Sequence, residues 1–194
     1  MSASPLAYRA SQAVFAPGAQ RSLTDALRVW SRRHDAGEVV LDAGCGPRSW
    51  LQTVGVRPVG VDRSPATIRT FRRSSEAGVV ASATALPFCN GALDSAWCFG
   101  LLHHLPDADA ATAVRELQRV TKRRGHVVVF DGILPGSGGP PLARLIRGLD
   151  RGRWMRTRAG LTALLDREGA WDHEPLRYST LRLDGVLATW TRAA

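Results

Sequence analysis

Lysine is nearly absent from this 194-residue chain: Lys122 stands alone among 26 basic residues, and the others are arginine. The Tyr-x-x-x-Lys pair of short-chain nicotinamide reductases is therefore excluded, because Gln118 occupies the place that tyrosine would need. Cysteine is scarce as well. Cys45, Cys89 and Cys98 show no paired spacing of the kind that holds zinc, so no metal site is expected. Their odd number argues against a disulfide framework and for a reducing, cytoplasmic setting. No run approaches the roughly 18 apolar residues of a membrane span, and the N-terminus lacks the apolar core of a secretory signal. Residues 1–24 carry Arg9 and Arg21 but no acid, a faint likeness to a transit peptide.

What is present fits one domain with one core, since 44% of the residues are hydrophobic. Acids are outnumbered, 17 against 26, for a formal charge of +9. That balance favours an anionic partner, whether a carboxylated or phosphorylated small molecule, an acidic lipid surface or nucleic acid. A GC-rich gene would produce the same arginine bias without any such partner.

The most informative stretch is Glu38-Val-Val-Leu-Asp-Ala-Gly-Cys-Gly-Pro47. Val39, Val40 and Leu41 read as a short buried strand, and Gly44 and Gly46 remove side chains where backbone must approach a ligand. A second strand, Pro58-Val-Gly-Val-Asp62, ends in an acid close to the roughly 20-residue offset at which a carboxylate meets a ribose hydroxyl. The pair predicts a nucleoside cofactor. Ser49 stands where a dinucleotide fingerprint wants its third glycine, and Asp42 precedes the turn.

Asp42-x-Gly44-x-Gly46 resembles motif I of the class I S-adenosylmethionine (SAM) dependent methyltransferases. The resemblance continues, in the family's order, at Gly60-Val-Asp62, Ala85-Leu-Pro-Phe88 and Leu101-Leu-His-His-Leu-Pro-Asp107, and covers roughly residues 38–130. It is nearest to the small-molecule type found in ubiquinone and menaquinone synthesis. It implies a Rossmann-like, doubly wound α/β fold: a mostly parallel seven-stranded sheet with a C-terminal antiparallel hairpin, under an N-terminal helical cover. The expected organisation is a single domain, 1–194, with the cover over 1–36, a SAM-binding core over 37–132 and C-terminal helices and hairpin over 133–194.

Periodicity places the elements. Leu23, Ala26, Leu27 and Trp30 predict an amphipathic helix that Ser22 or Thr24 could cap. Arg48 to about Val54 leaves room for two helical turns, whose N-terminus would face a ligand carboxylate. Ser64-Pro65 reads as N-cap and first position of a helix to about Arg73. Strands follow at 78–82 and 94–99, the latter entered by an Asn90-Gly91 turn. A helix from Pro106-Asp107 to about Lys122 should end at Arg124-Gly125, before an apolar strand over 126–130. Strands alternating with helices mean a parallel sheet with its crevice at the strands' carboxyl ends. Beyond a Gly/Pro-rich loop over 134–141, helices are expected at 142–149 and 161–168. Strands 176–183 and 186–191 should then hinge at Asp184-Gly185.

The cofactor-binding candidates are Asp42, Ala43, Gly44, Cys45, Gly46, Asp62, Arg63, Ser82, Ala83 and Phe99. Asp62 is expected to accept both ribose hydroxyls. By the resemblance, Asp42 steadies the cradle and reaches the cofactor's amino end, and Arg63 stands beside adenine. Ser82 stands where an aspartate is common, and can still accept a hydrogen bond from the adenine amino group. His103 and His104 are the catalytic candidates, either as general base or as pocket wall. Tyr8 and Arg147 are candidates for substrate contact. Arg147 lies in a cluster with Arg144, Arg151, Arg153, Arg156 and Arg158; Arg144, Arg147 and Arg151 would share one solvated helix face, or the cluster is an anionic-substrate or membrane-surface patch.

The expected function is SAM-dependent methyl transfer to O, N or C of a small, anionic or lipid-like metabolite. The alternatives are an RNA or other nucleic-acid methyltransferase and a non-catalytic SAM-fold binding module. Phe99-Gly-Leu-Leu replaces the Asn/Asp-Pro-Pro-aromatic motif of base-amino methyltransferases, and the sequence does not fix the oligomeric state.

Overall fold

The structure is a computed structural model; it describes residues 19–31, 37–74, 77–136, 145, 152–179 and 183–194. Seven strands form one sheet: β1 (Val40–Ala43), β2 (Val59–Asp62), β3 (Gly78–Val80), β4 (Leu93–Phe99), β5 (Thr121–Gly132), β6 (Asp172–Arg177) and β7 (Asp184–Thr191). Their spatial order is β3-β2-β1-β4-β5-β7-β6. The five strands from β3 to β5 are parallel, and β7 runs antiparallel to both β5 and β6. This is the Rossmann-like sheet with an antiparallel C-terminal pair that the motifs predicted.

Alternation along the strands divides the core between two faces. Leu41, Ala43, Ala96, Cys98, Val127 and Val129 face one side, where helix α3 (Asp107–Val120) lays down Ala110, Ala113, Val114 and Leu117. Those four recur at helical spacing, and a buried leucine such as Leu117 contributes about 2 kcal/mol. Helix α4 (Arg158–Asp166) adds Leu161, Leu164 and Leu165 to the same layer, its start capped by the Thr157 hydroxyl accepting from the Gly160 N–H. On the other face, Val40, Trp97 and Val128 pack with Leu27 of helix α1 (Ala19–Ser31) and with Leu51. Helices on both faces of a parallel sheet make the architecture doubly wound. Its direction reverses between β1 and β4, where such sheets open a crevice at the carboxyl ends.

Several local expectations change. Helix α1 starts at Ala19, so Ser22 and Thr24 lie inside it and cap nothing at its start. After the glycine turn the chain makes only a 3-10 turn, Leu51–Val54, which ends at Gly55 in the left-handed region. Four residues cannot supply the helix N-terminus expected at Arg48. Helix α2 (Pro65–Phe71) does begin as read, with the Ser64 hydroxyl accepting from the Thr67 N–H. Helix α3 stops at Val120 and passes directly into β5, so Arg124-Gly125 is not its terminator. Gly125 serves close strand approach, since a Cβ there would meet the Asp94 carbonyl oxygen at 2.3 Å.

The C-terminal hairpin is also displaced. Asp184 and Gly185 pair within β7, opposite Arg177 and Leu176, and the connection spans 178–183. Gly185 is required by packing rather than by a turn, because a Cβ there would come within 2.7 Å of the Phe130 ring. Tyr8, Arg144, Arg147, Arg151 and most of the helix expected at 142–149 lie outside the described residues. Among the described residues, no helix is long and apolar enough to cross a membrane.

Candidate active site

The carboxyl ends of β1 and β2 bring two acids to the same edge of the sheet. Asp42 pairs in register with Gly60, and Ala43 with Val61, so Asp62 stands two residues beyond the level of Asp42 on the neighbouring strand. The turn after β1 is tied to β2: the N–H groups of Gly44 and Cys45 both donate to the Val61 carbonyl, at 2.7 and 3.1 Å. Gly44 has φ +77° and Gly46 φ +60°, a backbone region that costs other residues about 1–2 kcal/mol. At Gly44 a Cβ would also sit 3.0 Å from the Leu101 side chain.

Asp42 is 3% exposed, and its Oδ1 is buried with no hydrogen-bond partner among the described residues. Burial pushes its pKa up to about 6, the neighbouring Ser49 hydroxyl opposes the rise, and the Asp62 charge adds to it. A buried acceptor left unpaired is costly unless something binds it. The group that fits is a cation with N–H donors, and SAM carries one in its methionyl ammonium. Asp62 is half-buried, and its Oδ1 accepts from the Ser64 N–H at 2.8 Å. A carboxylate at this edge of the sheet is an acceptor suited to a ribose diol.

The other cofactor candidates divide by what their side chains touch. Ala43 is fully buried in the sheet core, and Cys45 packs on Ile68 and Phe71 of α2. Burial, with Asp42 and Asp62 nearby, drives the Cys45 thiol far above its ordinary pKa, so its role is volume and not thiolate chemistry. Arg63 is exposed beside Asp62. The Ser82 hydroxyl is engaged locally: it lies 2.7 Å from the Thr84 hydroxyl and accepts from the Thr84 N–H. Ala83 is buried next to it. Phe99 closes β4 with its ring stacked on Trp97 at 5.2 Å and tilted against Phe130 at 5.5 Å, so it forms an aromatic wall.

The two histidines lie on a 3-10 turn, Leu102–His104, directly after β4. Their rings touch, with centroids 4.1 Å apart, but their surroundings differ. His104 is exposed, while the His103 side chain is 13% exposed and its Nδ1 lies 2.5 Å from Oδ1 of Asp131. Asp131, at the end of β5, is 2% exposed. Its Oδ2 accepts from the His103 main-chain N–H and its Oδ1 from the Gly132 N–H, each at 2.9 Å. A carboxylate accepting at both oxygens sets Nδ1 as the protonated ring nitrogen, which puts the lone pair of neutral His103 on Nε2. The pairing with Asp131 thus fixes the ring's tautomer and orientation.

Sequence reasoning did not single out Asp131. Its signal was there: an acid ends an otherwise apolar parallel strand, as Asp62 ends β2. The arginine cluster is corrected as well. Arg156 is not available to a surface anion patch; its side chain is 9% exposed and bonded to the Leu102 and Leu105 carbonyls and to Asp107. Arg153 and Arg158 are exposed.

Comparisons with known proteins bear on the fold that carries this site. Residues 41–129 match the family described as methyltransferase domain. A curated relative, the tRNA (carboxymethyluridine(34)-5-O)-methyltransferase of Arabidopsis thaliana, is 34% identical over 99 residues, or 48% of this chain. The match spans only 24% of that protein's length. Among solved structures, a SAM-dependent methyltransferase from Thermotoga maritima, a possible histamine N-methyltransferase, superposes with a TM-score of 0.72 at 15% identity. The match covers 96% of each chain. The 4+2 cyclase SpnF shares the fold at a TM-score of 0.68 and 20% identity, over 90% of this chain and 82% of that one. Residues 41–129 thus match a methyltransferase-domain family, and the sheet topology is the one that the solved S-adenosylmethionine-dependent methyltransferase shares.

Proposed function

We propose that this chain methylates a protic oxygen or nitrogen of a small molecule, and that His103, backed by Asp131, takes the acceptor's proton. The single observation that carries this reading is the buried Asp131 carboxylate bonded to both the ring and the main chain of His103 at the ends of β4 and β5.

In this reading Asp42 and Asp62 hold SAM at the ends of β1 and β2, by its ammonium and its ribose, and Gly44 and Gly46 keep the cradle open. SAM supplies a methyl group on a positively charged sulfur. Such a group is already activated, so alignment of the acceptor is the main contribution asked of the protein. Proton removal adds a factor of roughly 10²–10⁴ when the acceptor carries O–H or N–H. His103 accepts that proton at Nε2, and Asp131 steadies the resulting imidazolium. The formal charge of +9 supports an anionic acceptor or an anionic lipid-like one.

The test is transfer from methyl-labelled SAM to a panel of phenols, carboxylic acids, amines and phosphorylated lipids, with wild type and His103→Gln. Label on oxygen or nitrogen that falls at least about a hundredfold in the variant supports the reading. Transfer to carbon alone, or equal rates in the two proteins, overturns it.

A second reading rests on the similarity to the tRNA methyltransferase: an RNA acceptor. RNA binding would weaken steeply with salt. Labelling of total tRNA that disappears between about 50 and 200 mM salt would favour RNA over a free metabolite.

A further inference from the structure

We infer that Arg156 is a positioning residue: its guanidinium holds the 3-10 turn that presents His103 to Asp131. This deepens the proton-acceptor reading and rests on it. The turn is only three residues long and makes few hydrogen bonds of its own, so its geometry must be imposed from outside. Three contacts do this. The His103 N–H is held by Asp131, its carbonyl accepts from the Trp154 N–H at 3.0 Å, and Arg156 spans the flanking carbonyls of Leu102 and Leu105 at 2.8 Å each.

A mostly buried guanidinium would be expensive unless its donors were satisfied. Arg156 also meets Asp107, but that carboxylate side chain is 77% exposed, and a pair so open to water contributes little. The carbonyl bonds, shielded from solvent, therefore carry the holding. A planar fork with five donors reaches two carbonyls and a carboxylate at once, which a lysine ammonium at the same site cannot. The same strand of chain presses on the ring itself. At Gly152 a Cβ would lie 2.2 Å from Cδ2 of His103, so the imidazole has Asp131 at one nitrogen and bare backbone against its edge.

The experiment follows the His103 Nδ1–H directly by ¹⁵N-histidine NMR on the full chain, with no acceptor needed. Arg156→Gln should speed solvent exchange of that proton at least about tenfold. Amides outside 102–105 and 152–156 should exchange as in wild type, and the SAM dissociation constant should stay within about twofold. Arg156→Lys should fall between the two, and it carries the test if the glutamine variant fails to fold. Unchanged Nδ1–H exchange in the folded variants overturns the inference, as does faster exchange spread over the whole chain, which would mark a merely structural arginine. Failure of the underlying reading is separately visible: His103→Gln would keep full turnover while the exchange result stood.

Discussion

Asp131 grips His103 twice, once at the ring Nδ1 at 2.5 Å and once at the main-chain N–H at 2.9 Å. One carboxylate thereby fixes both the tautomer of the imidazole and the direction from which it leaves the backbone. Replacing Asp131 by asparagine keeps the volume, but the amide can present N–H toward Nδ1 and invert the tautomer. Asp131→Asn is expected to lower the rate with a protic acceptor by about 10²–10⁴ while leaving SAM affinity within about twofold. Single-turnover kinetics beside a SAM titration check it; an unchanged rate would remove Asp131 from the site.

Asp42 links cofactor binding to pH. Folded, it holds its proton up to about pH 6, whereas the unperturbed carboxyl releases it near 3.8. Between those values the folded state binds more protons, so the stability this group contributes is full below 3.8 and is lost as pH rises through 6. Above that window the buried charge costs on the order of 3 kcal/mol. Ligand-free Asp42→Asn should therefore melt above wild type at neutral pH, with the difference vanishing below about pH 4. The same variant should bind SAM at least tenfold more weakly, and wild-type affinity should fall as pH drops below about 6. Melting curves and calorimetry across pH measure both.

Asp62 has two duties that different variants separate. Its Oδ1 accepts the Ser64 N–H at the entry to α2, and Oδ2 is proposed to meet the ribose. Asp62→Asn retains an acceptor for Ser64 and should fold normally, yet lose the charge-assisted half of the ribose contact, a loss of about 1.5–3 kcal/mol, or roughly 10- to 150-fold in affinity. Asp62→Ala should abolish measurable binding while its circular dichroism stays that of wild type. Wild-type affinity in the alanine variant would contradict the assignment.

At the glycine turn the expected effect is mechanical. Gly44→Ala must place a side chain at φ +77° and push on Leu101, at a cost of about 1–3 kcal/mol. A lower melting temperature together with lost SAM binding is the expected outcome. Gly46 has open space around its Cβ position and φ +60°, so Gly46→Ala should cost less, about 1 kcal/mol.

Much of this was legible before any coordinates, and the reasons are local. Apolar runs ending at Asp42 and Asp62, with glycines between, report strand, turn and carboxylate from neighbours in sequence. The helix spacing of Val114, Leu117 and Val120 does the same for the face that α3 buries. What was not legible depends on partners distant in sequence. Asp131 matters because β5 pairs with β4 and brings it beside a residue 28 positions earlier. Arg156 read as one more member of an arginine-rich stretch because nothing near it in sequence reveals the Leu102 and Leu105 carbonyls that take up its guanidinium. The hairpin was misplaced because Asp184-Gly185 has turn chemistry, whereas the Phe130 ring demands a glycine inside β7.

The most direct measurement is calorimetric titration of the purified chain with SAM, run beside NADH and repeated with Asp62→Ala. The account predicts saturable 1:1 binding of SAM to wild type, none to the variant, and no heat with NADH. Silence with SAM, or a dinucleotide taken up in its place, would contradict it.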